Sequence, residues 1–324
     1  DHRVYLYKEY LRIIAKHHPS VFVMENVKGL LSAKVNDEKV FDLIKRDLQD
    51  PQSIFPETKA VKYKIYSLSE PAREHDETNN PLYSTNRDYL IKTEDYGVPQ
   101  NRHRVILLGI REDIDIIPNT LKKQNKKQKL EEIIGLLPKL RSGLSKEFVN
   151  YEITEKNGIQ KKRRKYKKVE NTDRNWNNIF HKNINELSSW DALTRDVKIP
   201  ITNILLNQGS EFVECKNTIN PKNNLAKWYI DDKLTGIPNH QTRTHLKQDL
   251  KRYLFSALYT NLNGSFPRMS HYQKYDESLL PDHDSAKSGK FADRFRVQLP
   301  DQPATTITSH ISKDGHYFIH YDAI

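Results

Sequence analysis

The chain has 324 residues, 36% hydrophobic and 29% charged, so it is long enough for two domains and can still bury a core. We find no apolar run of roughly 20 residues and no opening signal segment, so we expect no membrane association and a cytoplasmic location. The net charge of +11 indicates a polyanionic partner, usually nucleic acid. The single cysteine, Cys215, excludes an internal disulfide and is typical of a reducing compartment.

The first elements predict a helix followed by a strand. Residues 5–16 carry apolar side chains at helical spacing, and Pro19 predicts the end of that helix. Val21–Met24 is apolar on both faces, which predicts a buried central strand of an α/β sheet. Glu25 follows at the carboxyl end of this strand, where ligands of open α/β sheets bind. Burial there would raise its pKa and suit it to acid–base chemistry; capping of the next segment or pairing with a surface lysine is the alternative.

The next elements fit the same α/β domain. Lys39–Leu48 has the apolar spacing of an amphipathic helix, and Tyr63–Leu68 alternates as a strand does. Ser69–Asn86 is rich in Glu, Asn and Pro, which predicts a surface insertion. Tyr89–Thr93 predicts a return to extended structure.

A second polar stretch comes just before another predicted strand, Val105–Leu108. Arg102 and Arg104 stand at alternate positions, so they point to the same side of an extended chain. With Gln100 they form a fork of donors for anions or carbonyl oxygens. A pair of surface salt bridges is the alternative, since that is the usual fate of arginine.

Together the two stretches resemble the DNA (cytosine-5) methyltransferases, which carry a Glu-Asn-Val motif and, further on, a Gln-X-Arg-X-Arg motif. Here these read Glu25-Asn26-Val27 and Gln100-Asn101-Arg102-His103-Arg104. The resemblance implies methyl transfer from S-adenosylmethionine to carbon 5 of a flipped cytosine, within a restriction-modification system in the cytoplasm of a bacterium. It implies that Glu25 is the acid at ring nitrogen 3, and that Arg104 and Arg102 support the base, the nucleophile or a nearby phosphate. Gln100 would hold that loop, and Asn26 belongs to the same catalytic group.

Other parts of the family pattern do not occur in this chain. The family's nucleophilic cysteine lies in a Pro-Cys motif upstream of Glu-Asn-Val, as does the glycine-rich cofactor turn. Its final helices, with Arg-Glu and Asn-Ser-Val motifs, follow the recognition domain. We therefore expect a fragment that begins in mid-domain at Asp1, is inactive alone, and has its cofactor-binding residues upstream. Cys215 lacks the preceding proline and is interpreted as structural, and no metal site is predicted.

Two basic runs follow the predicted catalytic region. Residues 121–129 contain five lysines, and residues 161–168 contain seven cations in eight positions. Such runs are often disordered until they meet a polyanion, and either run alone also fits a solvated loop. Cations on DNA phosphates would supply affinity without sequence choice. The candidates for DNA contact in the second run are Lys162, Arg163 and Arg164.

Two later segments are similar to parts of the family's recognition domain. Residues 239–243, Asn-His-Gln-Thr-Arg, precede an amphipathic helix predicted over His245–Leu258, and Arg243 is a candidate for guanine or phosphate contact. A plain capping loop is the alternative for most of this segment. A Pro-X-X-Thr-Ile-Thr stretch begins at Pro303 and resembles the one that closes the recognition domain. Its candidates for backbone contact, with the loop that follows, are Thr305, Thr306, Ser309, His310 and Lys313.

The resemblance implies an α/β fold class, with part of a Rossmann-like catalytic domain over 1–111. A mixed α+β target-recognition domain would occupy 112–303, and 304–324 would return toward the catalytic domain. The implied partners are double-stranded DNA, a cognate restriction endonuclease or a complementary methyltransferase chain. A non-catalytic DNA-binding protein, or one subunit of a split enzyme, is the alternative. The long basic insertion argues against an RNA methyltransferase of the same lineage.

Overall fold

The structure is a computed structural model that describes residues 6–156, 159–188, 206–281, 295–307 and 315–322. The chain divides into two compact units, Asp1–Gln128 and Lys129–Ile324. Both helices and strands occur, so the protein is a mixed α/β protein. Among the described residues, no helix is both long and apolar enough to cross a membrane. The functional domain boundaries predicted at 111 and 303 stay predictions.

The first unit contains every element that the sequence predicts there. Its helices are α1 (Tyr7–His17) and α2 (Val40–Gln49). Its strands are β1 (Val21–Val27), β2 (Lys34–Val35), β3 (Glu38–Lys39), β4 (Tyr63–Ser67), β5 (Glu74–His75), β6 (Pro81–Leu82), β7 (Leu90–Lys92), β8 (Gln100–Asn101) and β9 (His103–Arg111). The predicted helices and strands of this unit are confirmed, with shifts of a few residues at their ends.

The main sheet of this unit has β9 at its centre. Strands β1 and β4 flank β9 and pair with it antiparallel, and β7 pairs with the first residues of β9. The prediction that β1 is a central strand buried on both faces is wrong for the described part of the chain. Phe22 and Met24 face the core, but Val21 is 51% exposed and Val23 is 55% exposed. Helices α1 and α2 cover one face of β1 only, which an apolar run cannot reveal.

The core of the first unit lies between this sheet and the two helices. Leu11 and Ile14 of α1 and Phe41 of α2 are buried against the sheet. Phe22 stands directly opposite Gly109 on β9, and a Cβ atom at Gly109 would lie 2.2 Å from the Phe22 ring. The glycine therefore provides the space that lets a large aromatic side chain pack flat on the neighbouring strand.

The second unit has its own core and its own set of elements. Its helices are α3 (Leu130–Ile134), α4 (Asp173–Ser188), α5 (Ala226–Tyr229), α6 (Lys247–Asn263) and α7 (Met269–Tyr275). Its strands are β10 (Gly143–Leu144), β11 (Lys146–Lys156), β12 (Ile159–Lys168), β13 (Phe212–Glu214), β14 (Gly236–Pro238), β15 (Thr244–His245) and β16 (Ala304–Thr305). The predicted amphipathic helix is confirmed as α6, whose Phe255 packs with Leu187 of α4 and Tyr272 of α7 in a fully buried cluster.

The basic run of residues 161–168 is part of a strand. The sequence suggested that this run is disordered or forms a solvated loop. Both interpretations are wrong, because β12 pairs with β11 along its whole length. Like charges within β12 are separated by the strand's alternation, and β11 places Glu152 and Tyr151 among them. We call this pair of strands the basic ribbon. Its base is tied to α6 by an ion pair between Lys247 and Glu147 at 2.6 Å.

The lysine-rich run of residues 121–129, by contrast, has no helix or strand before α3 begins. Lys123 forms an ion pair with Glu70 at 2.8 Å, and Lys127 forms one with Asp95 at 3.3 Å. Two of its lysines thus fasten the loop to the first unit, and the solvated-loop interpretation fits this run.

Candidate active site and nucleic-acid interface

The structure brings together the two motifs that the sequence singles out. Glu25 near the end of β1 and Arg104 near the start of β9 form an ion pair, with Nε of the arginine 2.6 Å from Oε1 of the glutamate. Because Glu25 stands opposite Ile106, the arginine occupies the diagonal position on the same side of the sheet. A second guanidinium nitrogen of Arg104 donates to the carbonyl of His103 at 2.8 Å. The arginine is thus held in place, with its side chain only 19% exposed.

The carboxylate of Glu25 is more open to solvent than the sequence suggests. Its side chain is 49% exposed, so the described residues do not provide the burial that we expect of a carboxylic acid tuned for catalysis. The cause is the exposed face of β1, on which Glu25 and Val23 both lie. The alternative named a surface lysine, but the observed partner of Glu25 is Arg104 of the second motif. This pairing is compatible with a catalytic role, since the arginine orients the carboxylate.

Asn26 points to the other side of β1, toward the helices. It stands opposite Val105, and its amide oxygen accepts the backbone N–H of Val27 at 2.8 Å. On the same strand, the hydroxyl of Tyr10 donates to the carbonyl of Val23 at 3.0 Å. Burial raises the pKa of Tyr10, so this phenol stays protonated and fastens α1 to β1. The strand that carries Glu25 is therefore anchored from its helical side.

A threonine that sequence reasoning missed fixes the turn before β9. The hydroxyl of Thr93 donates to the carbonyl of Gln100 at 2.6 Å and accepts the backbone N–H of Arg102 at 3.0 Å. Gly97 lies in the same turn with φ +84°, a conformation that favours glycine. Gln100 and Arg102 are half-buried, and their backbones are set by these bonds. The available signal in the sequence was a hydroxyl residue seven positions before the glutamine. That pattern is too common to single out Thr93.

A histidine between the two arginines has a different role from theirs. His103 lies 2.8 Å from Glu94 through its Nε2 atom, and Glu94 is buried. Strand alternation alone predicts that His103 faces away from its arginine neighbours. The other carboxylate oxygen of Glu94 is buried and has no hydrogen-bond partner among the described residues. The histidine and the buried acid thus form a second polar pair on the core side of the sheet.

The three cations predicted to contact DNA lie in the basic ribbon and are exposed. Lys162 and Arg164 occupy one side of β12, and Arg163 occupies the other. The ammonium of Lys162 lies 3.8 Å from the centre of the Tyr151 ring. Arg163 stands directly opposite Glu152. The three neighbours in sequence therefore have two different surroundings.

The segment of residues 239–243 is built into the second unit through hydrogen bonds. The hydroxyl of Thr242 donates to the carbonyl of Arg141 at 2.7 Å, and His240 Nε2 lies 2.8 Å from the carbonyl of Pro138. This segment does not cap α6, because that helix begins after Leu246, so the capping interpretation is wrong. Arg243 is exposed, and its role in DNA contact stays a prediction.

The remaining DNA candidates fall partly outside the described residues. Thr305 is half-buried, and its hydroxyl donates to Oε1 of the buried Gln298 at 3.0 Å. Thr306 is half-buried as well. The last three candidates lie outside the described residues; they are Ser309, His310 and Lys313. The DNA contacts of all five stay predictions.

Cys215 lies just after β13 in the second unit, half-buried and reduced. Its backbone N–H donates to the carbonyl of Thr235 at 3.2 Å, next to the β13–β14 pair. Across the part of the chain that the structure describes, no three His, Cys, Asp or Glu side chains are grouped to hold a metal ion.

The comparison with known families decides what the ion-paired motifs belong to. The family model described as C-5 cytosine-specific DNA methylase matches residues 1–52 and 78–277, which include both motifs and the basic ribbon. This chain belongs to that family. The resemblance seen in the sequence is thereby confirmed at the level of family.

Similar proteins include Type II methyltransferases of bacteria. The chain is 26% identical over 326 residues to Type II methyltransferase M.Bpa9945I of Bacillus paralicheniformis, covering 99% of the chain and 52% of that relative. It is 33% identical over 150 residues to M.BbvI of Brevibacillus brevis, covering 45% and 31%. It is 28% identical over 171 residues to M.DdeI of Desulfomicrobium norvegicum, covering 51% and 34%. This chain thus spans about half the length of the first relative and about a third of the other two.

Proposed function

We propose that the complete protein containing this chain is a DNA (cytosine-5) methyltransferase of a restriction-modification system. Its substrate would be a cytosine flipped out of a specific duplex sequence. The observation that carries this proposal is the ion pair of 2.6 Å between Glu25 and Arg104, since it joins the two family motifs. The fold proposed for the complete protein is a Rossmann-like catalytic domain with a target-recognition domain, to which the basic ribbon belongs.

The roles proposed for the site follow from charge and position. Glu25 donates a proton or hydrogen bond to ring nitrogen 3, which makes carbon 6 of the cytosine more electrophilic. Arg104 orients that carboxyl group, and its cationic neighbour Arg102 steadies the base carbonyl, the nucleophile or a nearby phosphate. Gln100 holds the loop that Thr93 fastens. Asn26 completes the motif on the opposite side of β1.

The methyl donor proposed for the reaction is S-adenosylmethionine, which would supply an electrophilic methyl group. Gly29 and Gly109 do not form a cofactor cradle. Gly29, two residues after β1, has open space where a Cβ atom would stand, and the space at Gly109 is filled by Phe22. In the family pattern the glycine-rich turn and the nucleophilic cysteine lie upstream of Glu-Asn-Val, and we assign neither to a residue of this chain.

The partners we propose are double-stranded DNA and a cognate restriction endonuclease that cuts the same sequence. A complementary methyltransferase chain is the other proposed arrangement, in which a second polypeptide supplies the cofactor turn and cysteine. The two arrangements differ in activity. One complete polypeptide methylates alone, whereas a split enzyme methylates only after its two chains are mixed.

The test of the proposed function is Glu25→Gln in the complete protein. General acid–base assistance is typically worth about 10²–10⁴ in rate, so we expect a loss of methyl transfer in that range with duplex binding retained. A matched control is Glu9→Gln, which removes a carboxylate from the exposed ion pair with Arg12 on α1. Methyl transfer by the Glu25→Gln protein at the parent rate would contradict the assigned role.

A further inference from the structure

The two sides of the basic ribbon differ in the side chains that lie beside their cations. One side, which we call the aromatic side, presents Phe148 and Tyr151 from β11 and Tyr166 from β12, because directly opposed residues share a side. The aromatic side also carries one acid, Glu155, and four cations; the cations are Lys146, Lys162, Arg164 and Lys168. The opposite side, which we call the acidic side, carries Glu147 and Glu152 among its cations, of which Arg163, Lys165 and Lys167 have described side chains.

The two acids of the acidic side lie beside cations. Lys165 forms an ion pair with Glu152 at 2.6 Å. This hydrogen bond lowers the pKa of Glu152, which the charge of Arg163 lowers further. Glu147 pairs with Lys247, and the nearby charge of Lys167 adds to the lowering of its pKa. A polyanion that approached this side would meet carboxylates, and it would have to displace them from their partners.

Two cations of the aromatic side lie over rings and not beside acids. Lys162 lies 3.8 Å from the centre of the Tyr151 ring, and Lys146 lies 4.2 Å from that of Tyr166. A ring face positions an ammonium group but leaves its charge unneutralised and its N–H donors available. Arg164 stands opposite Tyr151 and is exposed. Neither Lys162 nor Arg164 is ion-paired with a carboxylate of the described residues.

We propose that the basic ribbon binds duplex DNA through its aromatic side, with Lys162 and Arg164 on phosphates and its acidic side turned away. This inference rests on the proposed function, which makes DNA the polyanion. A two-stranded ribbon fits the major groove of a duplex. With β11 of 11 residues, it extends about 35 Å at roughly 3.3 Å per residue. The proposed orientation also divides the run Lys162, Arg163 and Arg164, since Arg163 lies on the side that faces away from the DNA.

The experiment compares two double variants of the 324-residue chain that lose the same net charge. One is Lys162→Gln with Arg164→Gln on the aromatic side, and the other is Arg163→Gln with Lys165→Gln on the acidic side. Binding to a fluorescently labelled duplex of mixed sequence is measured by anisotropy over a series of salt concentrations. Circular dichroism and thermal melts show whether each variant keeps the fold of the parent chain.

Loss of two phosphate contacts should reduce the slope of log K against log salt by about 1.8, at about 0.9 for each contact. Near physiological salt we expect the aromatic-side variant to bind roughly 10- to 100-fold more weakly than the parent. The acidic-side variant should stay within about threefold, since Lys165 already pairs with Glu152 and Arg163 stands opposite the same carboxylate. Equal losses in the two variants would mean that only net charge matters, and they would overturn the proposal.

Three other results would overturn it as well. The first is parent-like binding by the aromatic-side variant, and the second is no duplex binding by the parent chain. The third is polyglutamate displacing the duplex at equal charge concentration, which would indicate an acidic protein as the partner. Failure of the proposed function is a separate observation, because Glu25→Gln would then methylate at the parent rate whatever the ribbon variants bind.

Discussion

Two antiparallel strand pairs carry the charged side chains of this protein, and they use charge in opposite ways. In the β1–β9 pair, an acid and an arginine that lie 79 positions apart in the sequence meet at 2.6 Å. In the basic ribbon, three cations adjacent in sequence are divided between two sides. The first pair concentrates opposite charges at one point, which suits chemistry. The second places cations beside aromatic rings on one side and beside carboxylates on the other, and the aromatic side suits binding to a polyanion.

The prediction with the largest expected effect concerns Arg104 and tests whether the charges of the β1–β9 pair serve chemistry. We expect Arg104→Gln in the complete protein to lower methyl transfer by about 10²-fold, the typical cost of removing one electrostatic donor from an active site. The matched control is Arg111→Gln at the other end of β9, where the arginine pairs with the exposed Asp113. Rates from single-turnover methylation separate the chemical step from binding. Equal losses in both variants would show that the pairing with Glu25 has no special role.

A smaller effect sharpens the difference in packing between the two strand pairs. Gly109→Ala places a methyl group against the Phe22 ring, and we expect it to destabilise the first unit by about 1–3 kcal/mol. In the basic ribbon, Ile153→Ala removes a side chain that is 71% exposed, so its cost should stay within about 0.5 kcal/mol. Urea denaturation followed by circular dichroism measures both. A tolerated alanine at Gly109 would contradict the close contact of Phe22.

The smallest effect concerns pH and a histidine at the base of the ribbon. Burial lowers the pKa of His245, although nearby Asp249 opposes this shift. A histidine with a depressed folded-state pKa contributes full stability above its unfolded value of about 6.5, and this contribution is lost as the pH falls through the folded value. We expect the melting temperature to fall on acidification through that range, and to fall less in His245→Gln. Burial also lowers the pKa of His320, so part of the dependence would persist. An identical pH dependence in parent and variant would exclude His245 as a source.

Much of the first unit follows from local pattern. Helical spacing predicts α1 and α2, and alternation predicts β4, because each of these elements buries one face against the same core. The pairing of Glu25 with Arg104 was not predicted from spacing; the family resemblance placed both residues in one site. The elements of the second unit were predicted less well from the sequence, since its basic run was interpreted as disorder or loop. Charge repulsion along a chain is a local quantity, whereas pairing with β11 is not.

The sequence by itself determined the family of this protein, its basic charge and the two motifs of its candidate site. Only the tertiary structure decided that β1 has an exposed face, that His103 turns to Glu94, and that the basic ribbon separates its cations by side. The physical reason is the same in each case. The order of residues along the chain specifies each side chain. Its exposure and the sign of the neighbouring charge depend on which strand lies alongside.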